Sequence, residues 1–126
     1  MEFNSKKSIY KQISDLVCEN ILLGKFSESE RILSVRDLAV SLEVNPNTVM
    51  RAFSYLQEMG VIFNKRGIGY FISEGAQELV LSMQRTNFIK DDLPFIFKES
   101  CLYGINPDKL KELFIEYLKG DSCEVK

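Results

Sequence analysis

A mainly helical fold carrying one small β-hairpin is what this sequence predicts, and three observations carry the prediction. Apolar residues recur at three- and four-residue spacing in several stretches. Two of these stretches are joined only by Glu43, Val44 and Asn45, and between Val61 and Ser73 the helical period gives way to two short extended runs around Lys65-Arg66-Gly67. Residues 75–126 return to helical spacing, so the expected organisation is an N-terminal domain over 1–74 and a short helical region over 75–126.

Each element has its own signal. Ile9, Ile13, Leu16, Val17, Ile21 and Leu22 form one stripe between Ser8 and Leu23, and Gly24 stops it. The polar stretch after Lys25 reads as a loop in which Ile32 and Leu33 add a short extended segment. Ser34 followed by Asp37 resembles a capping box that opens a second helix, with Leu38, Ala39 and Leu42 facing inward. Asn45 caps and Pro46 opens a third, which buries Val49, Ala52, Phe53 and Leu56 and ends at Met59-Gly60. Strands are expected at Val61 to Asn64 and Gly69 to Ser73. Beyond Gly75, Leu79, Val80, Met83, Phe88 and Ile89 continue at helical spacing until Pro94, which is expected to kink or break the helix. Asn106 as cap, Pro107 at the first position and Asp108 in the first turn begin the last helix, with Leu110, Leu113, Phe114, Tyr117 and Leu118 on its apolar face.

Composition narrows the function. The chain has 126 residues, 45% apolar and 27% charged, which suits an ordinary globular protein without a membrane span. The start lacks an apolar signal region, and the three cysteines, Cys18, Cys101 and Cys123, are odd in number and widely spaced; both point to a cytoplasmic protein without a disulfide framework. Cys101, in an apolar stretch, reads as a buried small hydrophobe. There is no histidine, which removes the commonest general base and metal ligand, so neither catalysis nor a metal or other cofactor is expected. Asp91 and Asp92 are adjacent, about 100° apart on a helix, and read as solvated charge. Net charge is −2; residues 1–73 hold 9 Lys+Arg against 8 Asp+Glu and residues 74–126 hold 7 against 10. Nucleic acid would therefore need basic groups gathered on one face.

The order helix, helix, tight turn, helix, basic hairpin is the winged helix-turn-helix plan. With Val49, Phe53 and Leu56 inward, Asn47, Arg51 and Ser54 project the opposite way near the helix start, and Thr48 lies to one side. Arginine can chelate guanine and asparagine can pair with adenine across the major groove. The backbone N–H groups near Asn47 and Thr48 offer a site for phosphate at the helix N-terminus. Arg36, in the first turn of the second helix, reaches a phosphate or a base from the groove edge. Lys65 and Arg66 lie over the flanking minor groove, with Gly67 allowing close approach, and Asn45 joins the set chiefly as a cap.

With these residues the chain resembles the GntR family of bacterial transcription regulators and, in its short C-terminal part, the YtrA-like subfamily. The likeness runs from Ile9 to Ile72 and includes "SERILSVRDLAVSLEVNPNTVMRAFSYLQEMGVIFNKRGIGYFI". It implies that Ser34, Arg36, Asn47, Thr48, Arg51, Arg66 and Gly67 occupy operator-binding positions. Leu33 stands where the family usually has proline, Ser29 where it often has glycine, and Pro46 and Met50 where other subfamilies place arginines, so readout falls more heavily on Arg36, Asn47 and Arg51. The resemblance also implies a repressor of its own or a neighbouring operon, transporter genes being a frequent target.

Residues 75–126 are too few to enclose a sizeable metabolite pocket, and they name no effector. Their apolar residues, among them Leu79, Met83, Phe88, Phe95, Leu110, Phe114 and Tyr117, exceed what a two-helix hairpin hides, so a homodimer reading a palindromic double-stranded operator is expected. The competing reading is a winged-helix module that binds protein, favoured if Arg36, Arg51 and Arg66 are scattered or held in internal salt bridges.

Overall fold

A computed structural model describes residues 7–120, and the chain divides into two compact units, Met1–Gln84 and Arg85–Lys126. Cys123 and the rest of the last six residues lie outside the described residues.

The first unit begins with α1, Ile9–Leu22, whose four-residue repeat of Ile13, Val17 and Ile21 turns one stripe inward, each at most 3% exposed. Ser14 is buried on the same helix and stays satisfied by donating to the carbonyls of Tyr10 and, across the helix interface, Ala52. The loop that follows does more than connect. Ser29 and Ile32 donate to the carbonyls of Ile72 and Tyr70, Ile72 donates back to Glu30, and Arg31 bridges Phe71. The extended segment expected at Ile32 and Leu33 is thus centred on Arg31.

Helix α2, Val35–Leu42, starts where the Oγ of Ser34 accepts the Asp37 N–H at 3.1 Å. It closes in a Schellman-type turn: Val44 donates to Ala39, Glu43 donates to Val40, and Glu43 takes φ 56°. Helix α3, Pro46–Glu58, follows at once. Its own end repeats the device with a glycine, since Val61 donates to Leu56, Gly60 donates to Gln57, and Gly60 has φ 85°. Strands β1, Ile62–Lys65, and β2, Gly69–Ile72, pair antiparallel with Ile62 opposite Ile72 and Lys65 opposite Gly69. The paired isoleucines enter the core, while Phe63 and Phe71 stack on the other face at 5.7 Å.

Helix α4, Ala76–Asn87, supplies Ala76 and Val80, both 0% exposed, to the core formed with α1, α3 and the hairpin. Leu79, expected on a dimer interface, packs half-buried against this core, and Met83 is half-buried too. The first compact unit thus extends through most of α4, to Gln84.

In the second unit the chain does not break before Pro94. A π-helical turn, Phe88–Asp92, leads directly into α5, Leu93–Leu102, with Pro94 in its first turn. Proline there cannot donate to the preceding turn, and a π turn is one way a helix absorbs the misfit. Helix α6, Pro107–Gly120, opens with Asn106 accepting the Lys109 N–H at 2.8 Å. Among the described residues of this unit Ser100 alone is buried; Phe88, Phe95, Phe114 and Tyr117 are 46%, 63%, 54% and 55% exposed.

Candidate nucleic-acid interface

Helix α3 is the element on which the site is built. Val49, Ala52, Phe53 and Leu56 are fully buried, and the helical period then turns Asn47, Met50, Arg51 and Ser54 outward, where all four are exposed. Thr48 lies half-buried at the edge of that face. Burying a side chain such as Phe53 contributes roughly 1.5–3 kcal/mol, so the inward residues fix which face α3 presents.

Two tyrosines flank the outward face. On the α1 side, Tyr10 lies beneath the Arg51 guanidinium, 4.1 Å from ring centroid to Cζ, and meets Tyr55 edge-on at 6.0 Å. On the hairpin side, Tyr70 packs edge-on against Phe53 at 4.9 Å, and its hydroxyl donates to the Sδ of Met50 at 3.8 Å. The wing is thereby attached to the same helix that presents Asn47 and Arg51.

The start of α3 corrects one expectation. The Asn47 N–H donates to the Oδ1 of Asn45 at 2.8 Å and the Thr48 N–H to the Asn45 carbonyl at 2.9 Å, so neither is open to phosphate. Asn45 acts here as the helix cap, and Ser34 does the same for α2. Arg36 is exposed in the first turn of α2.

The hairpin tip carries Arg66 and Gly67 in a turn closed by the Ile68 N–H donating to Lys65, and Gly67 takes φ 81°. The Lys65 ammonium sits 4.8 Å from the centroid of the Phe71 ring. Arg31, which the pattern of the sequence does not single out, lies across Gly69 at the root of this turn. The only signal that could have found it is the glycine itself, which opens a strand where a side chain would collide with a cation 38 positions earlier.

Among the described residues the ion pairs are Lys7 with Asp15 and Lys109 with Glu112, so Arg31, Arg36, Arg51, Lys65 and Arg66 are not held by carboxylates. Neither group of Asp, Glu and Cys able to hold a metal ion nor a helix long and apolar enough to cross a membrane occurs among these residues. Asp91 and Asp92 are exposed in the π turn. Cys101 is exposed, contrary to the buried role expected for it: an apolar stretch of sequence marks a face needing cover, not one that the chain itself covers.

A helix-turn-helix whose second helix offers amide and guanidinium outward, with a basic hairpin tied beside it, defines the winged-helix class of DNA-binding proteins. The chain belongs to the gntR family of bacterial regulatory proteins, whose family model matches residues 9–72. It is 34% identical over 122 residues to the HTH-type transcriptional repressor YtrA of Bacillus subtilis, covering 97% of this chain and 90% of that one. A GntR-family structure from Bacteroides thetaiotaomicron is 41% identical, with a TM-score of 0.74 over 89% of this chain and 97% of the other. The GntR family transcriptional regulator from Listeria monocytogenes is 31% identical, with a TM-score of 0.72 over 95% of this chain and all of its own, 100%. The family consists of transcription regulators that bind DNA through this motif, not of enzymes.

Proposed function

We propose that this regulator acts as a homodimer on a palindromic double-stranded operator and represses its own or a neighbouring operon, with transporter genes as a candidate target. Asn47 and Arg51 read base edges in the major groove, helped by Arg36, while Arg31, Lys65 and Arg66 neutralise phosphates beside the flanking minor groove. The observation that carries this reading is the outward face of α3, exposed and bordered by cations that no carboxylate among the described residues engages. Repression is supported by the likeness to YtrA, named as a repressor.

The homodimer is supported by the exposed apolar side chains of α5 and α6, which a second copy would cover. Two α3 helices related by a twofold axis would then enter successive major grooves about 34 Å apart. Selection of bound duplexes from a random pool tests the reading: an enriched inverted repeat with half-sites one helical turn apart, or a multiple of it, is expected. A pool that remains random would contradict it.

A further inference from the structure

We infer that Tyr10 is a positioning residue for base readout: its ring holds the Arg51 guanidinium flat and aimed outward while leaving the hydrogen-bonding edge of that group free. The inference rests on the reading above, in which Arg51 meets a base.

The guanidinium is planar, and its two kinds of surface do different work. Its faces stack on aromatic rings, and its five N–H groups point along the edge. Arg51 lies with Cζ over the Tyr10 ring, 4.1 Å from its centroid; a guanidinium laid face-on at that separation keeps its edge for the O6 and N7 acceptors of guanine. A long, flexible side chain without such support would have to be ordered at the moment of binding, which weakens the specific complex.

Tyr10 is itself fixed. Its backbone belongs to α1, where its carbonyl accepts from the buried Ser14 hydroxyl, and Ser14 also reaches the Ala52 carbonyl next to Arg51 on α3. Tyr55, one helical turn beyond Arg51, meets the Tyr10 ring edge-on with an interplanar angle of 80°. Asn47, Arg51 and Tyr55 therefore form one stripe at four-residue spacing: its inner end packs on Tyr10, its middle lies over the same ring, and its outer end is exposed. A tyrosine forty-one positions away in sequence sets the direction of the arginine at the centre of the site.

The test is a double-mutant cycle on the full chain, read as the ratio of affinities for the best duplex from the random-pool selection and for a scrambled duplex of equal length. Tyr10→Leu should lower this ratio about fivefold, whereas Tyr10→Phe, which keeps the ring face, should hold it within about twofold. Arg51→Ala should lower it about tenfold or more. In the Arg51→Ala background Tyr10→Leu should change nothing further, because its partner is gone.

An unchanged ratio for Tyr10→Leu, or an equal loss with and without Arg51, would overturn the inference and leave base readout by Arg51 intact. An unchanged ratio for Arg51→Ala would overturn the parent reading as well. A second measurement avoids any folding defect of the leucine variant: in the DNA-free wild-type protein the Arg51 side-chain protons should show an upfield ring-current shift in the NMR spectrum. Ordinary arginine shifts there would contradict the stack.

Discussion

The Arg31 guanidinium lies so close to Gly69 that a Cβ built on this glycine would stand 2.9 Å from Nε and 3.3 Å from Nη2. Gly69 also has φ 144° and pairs with Lys65, so the close approach places Arg31 at the base of the cationic turn. Arg31→Ala is expected to weaken binding to all duplexes alike and to reduce the slope of log affinity against log salt by about one, with little change in stability. Gly69→Ala should shift the Arg31 guanidinium and so weaken binding to all duplexes less than Arg31→Ala does, and should destabilise the fold by about 1–3 kcal/mol because φ 144° suits glycine. Salt titrations of the two variants, paired with thermal unfolding, separate these effects.

Two helix ends close in the same way but with different residues. Gly60 ends α3 at φ 85°, whereas Glu43 ends α2 at φ 56°, a conformation in which a Cβ is crowded and where a negative charge faces the carbonyl end of the helix dipole. Glu43→Gly is therefore expected to stabilise the fold by about 0.5–1 kcal/mol, a rise of a few degrees in Tm, and Glu43→Ala to gain less because the crowding remains. Equal Tm values for wild type and the glycine variant would contradict the strain argument.

Cys18 responds to pH. Burial, and secondarily the nearby Asp15 carboxylate, push its thiol up from 9.0 to about 11. The unfolded chain then loses this proton before the folded chain does, so the Cys18 contribution to stability is complete below pH 9 and is lost as pH rises through about 11. Denaturant unfolding should show the stability advantage of wild type over Cys18→Ala shrinking by roughly 2–3 kcal/mol between pH 8 and pH 11. A constant difference would show that the thiol titrates normally.

Phe114 is 54% exposed on α6, among the apolar residues assigned here to a second copy. Phe114→Asp should yield monomers by light scattering, and these should bind a half-site weakly, whereas wild type should be dimeric. An unaltered dimer would remove Phe114 from the interface.

The parts of the fold that sequence makes legible are those decided within a turn or two. Ser34, Asn45 and Asn106 each cap through a side-chain oxygen near in sequence, and the stripes of α1 and α3 follow from the helical period. The outward placement of Asn47, Arg51 and Ser54 belongs to the same class. What the pattern misses is set by partners distant in sequence. The Tyr10 ring beneath Arg51, the Arg31 side chain across Gly69, and the packing of Leu79 against the first core all depend on how helices and hairpin meet. The π turn escaped for a different reason: Pro94 announces a misfit in the hydrogen-bond ladder without specifying how the helix absorbs it.

Helix α3 and the wing divide the labour of binding, and mobility-shift titrations of Arg51→Ala and Arg66→Ala against selected and scrambled duplexes separate their shares. The first variant should lose discrimination while keeping its scrambled-duplex affinity, and the second should lose affinity for both duplexes alike with a shallower salt dependence. Wild-type affinities and salt slopes for both variants would contradict this division.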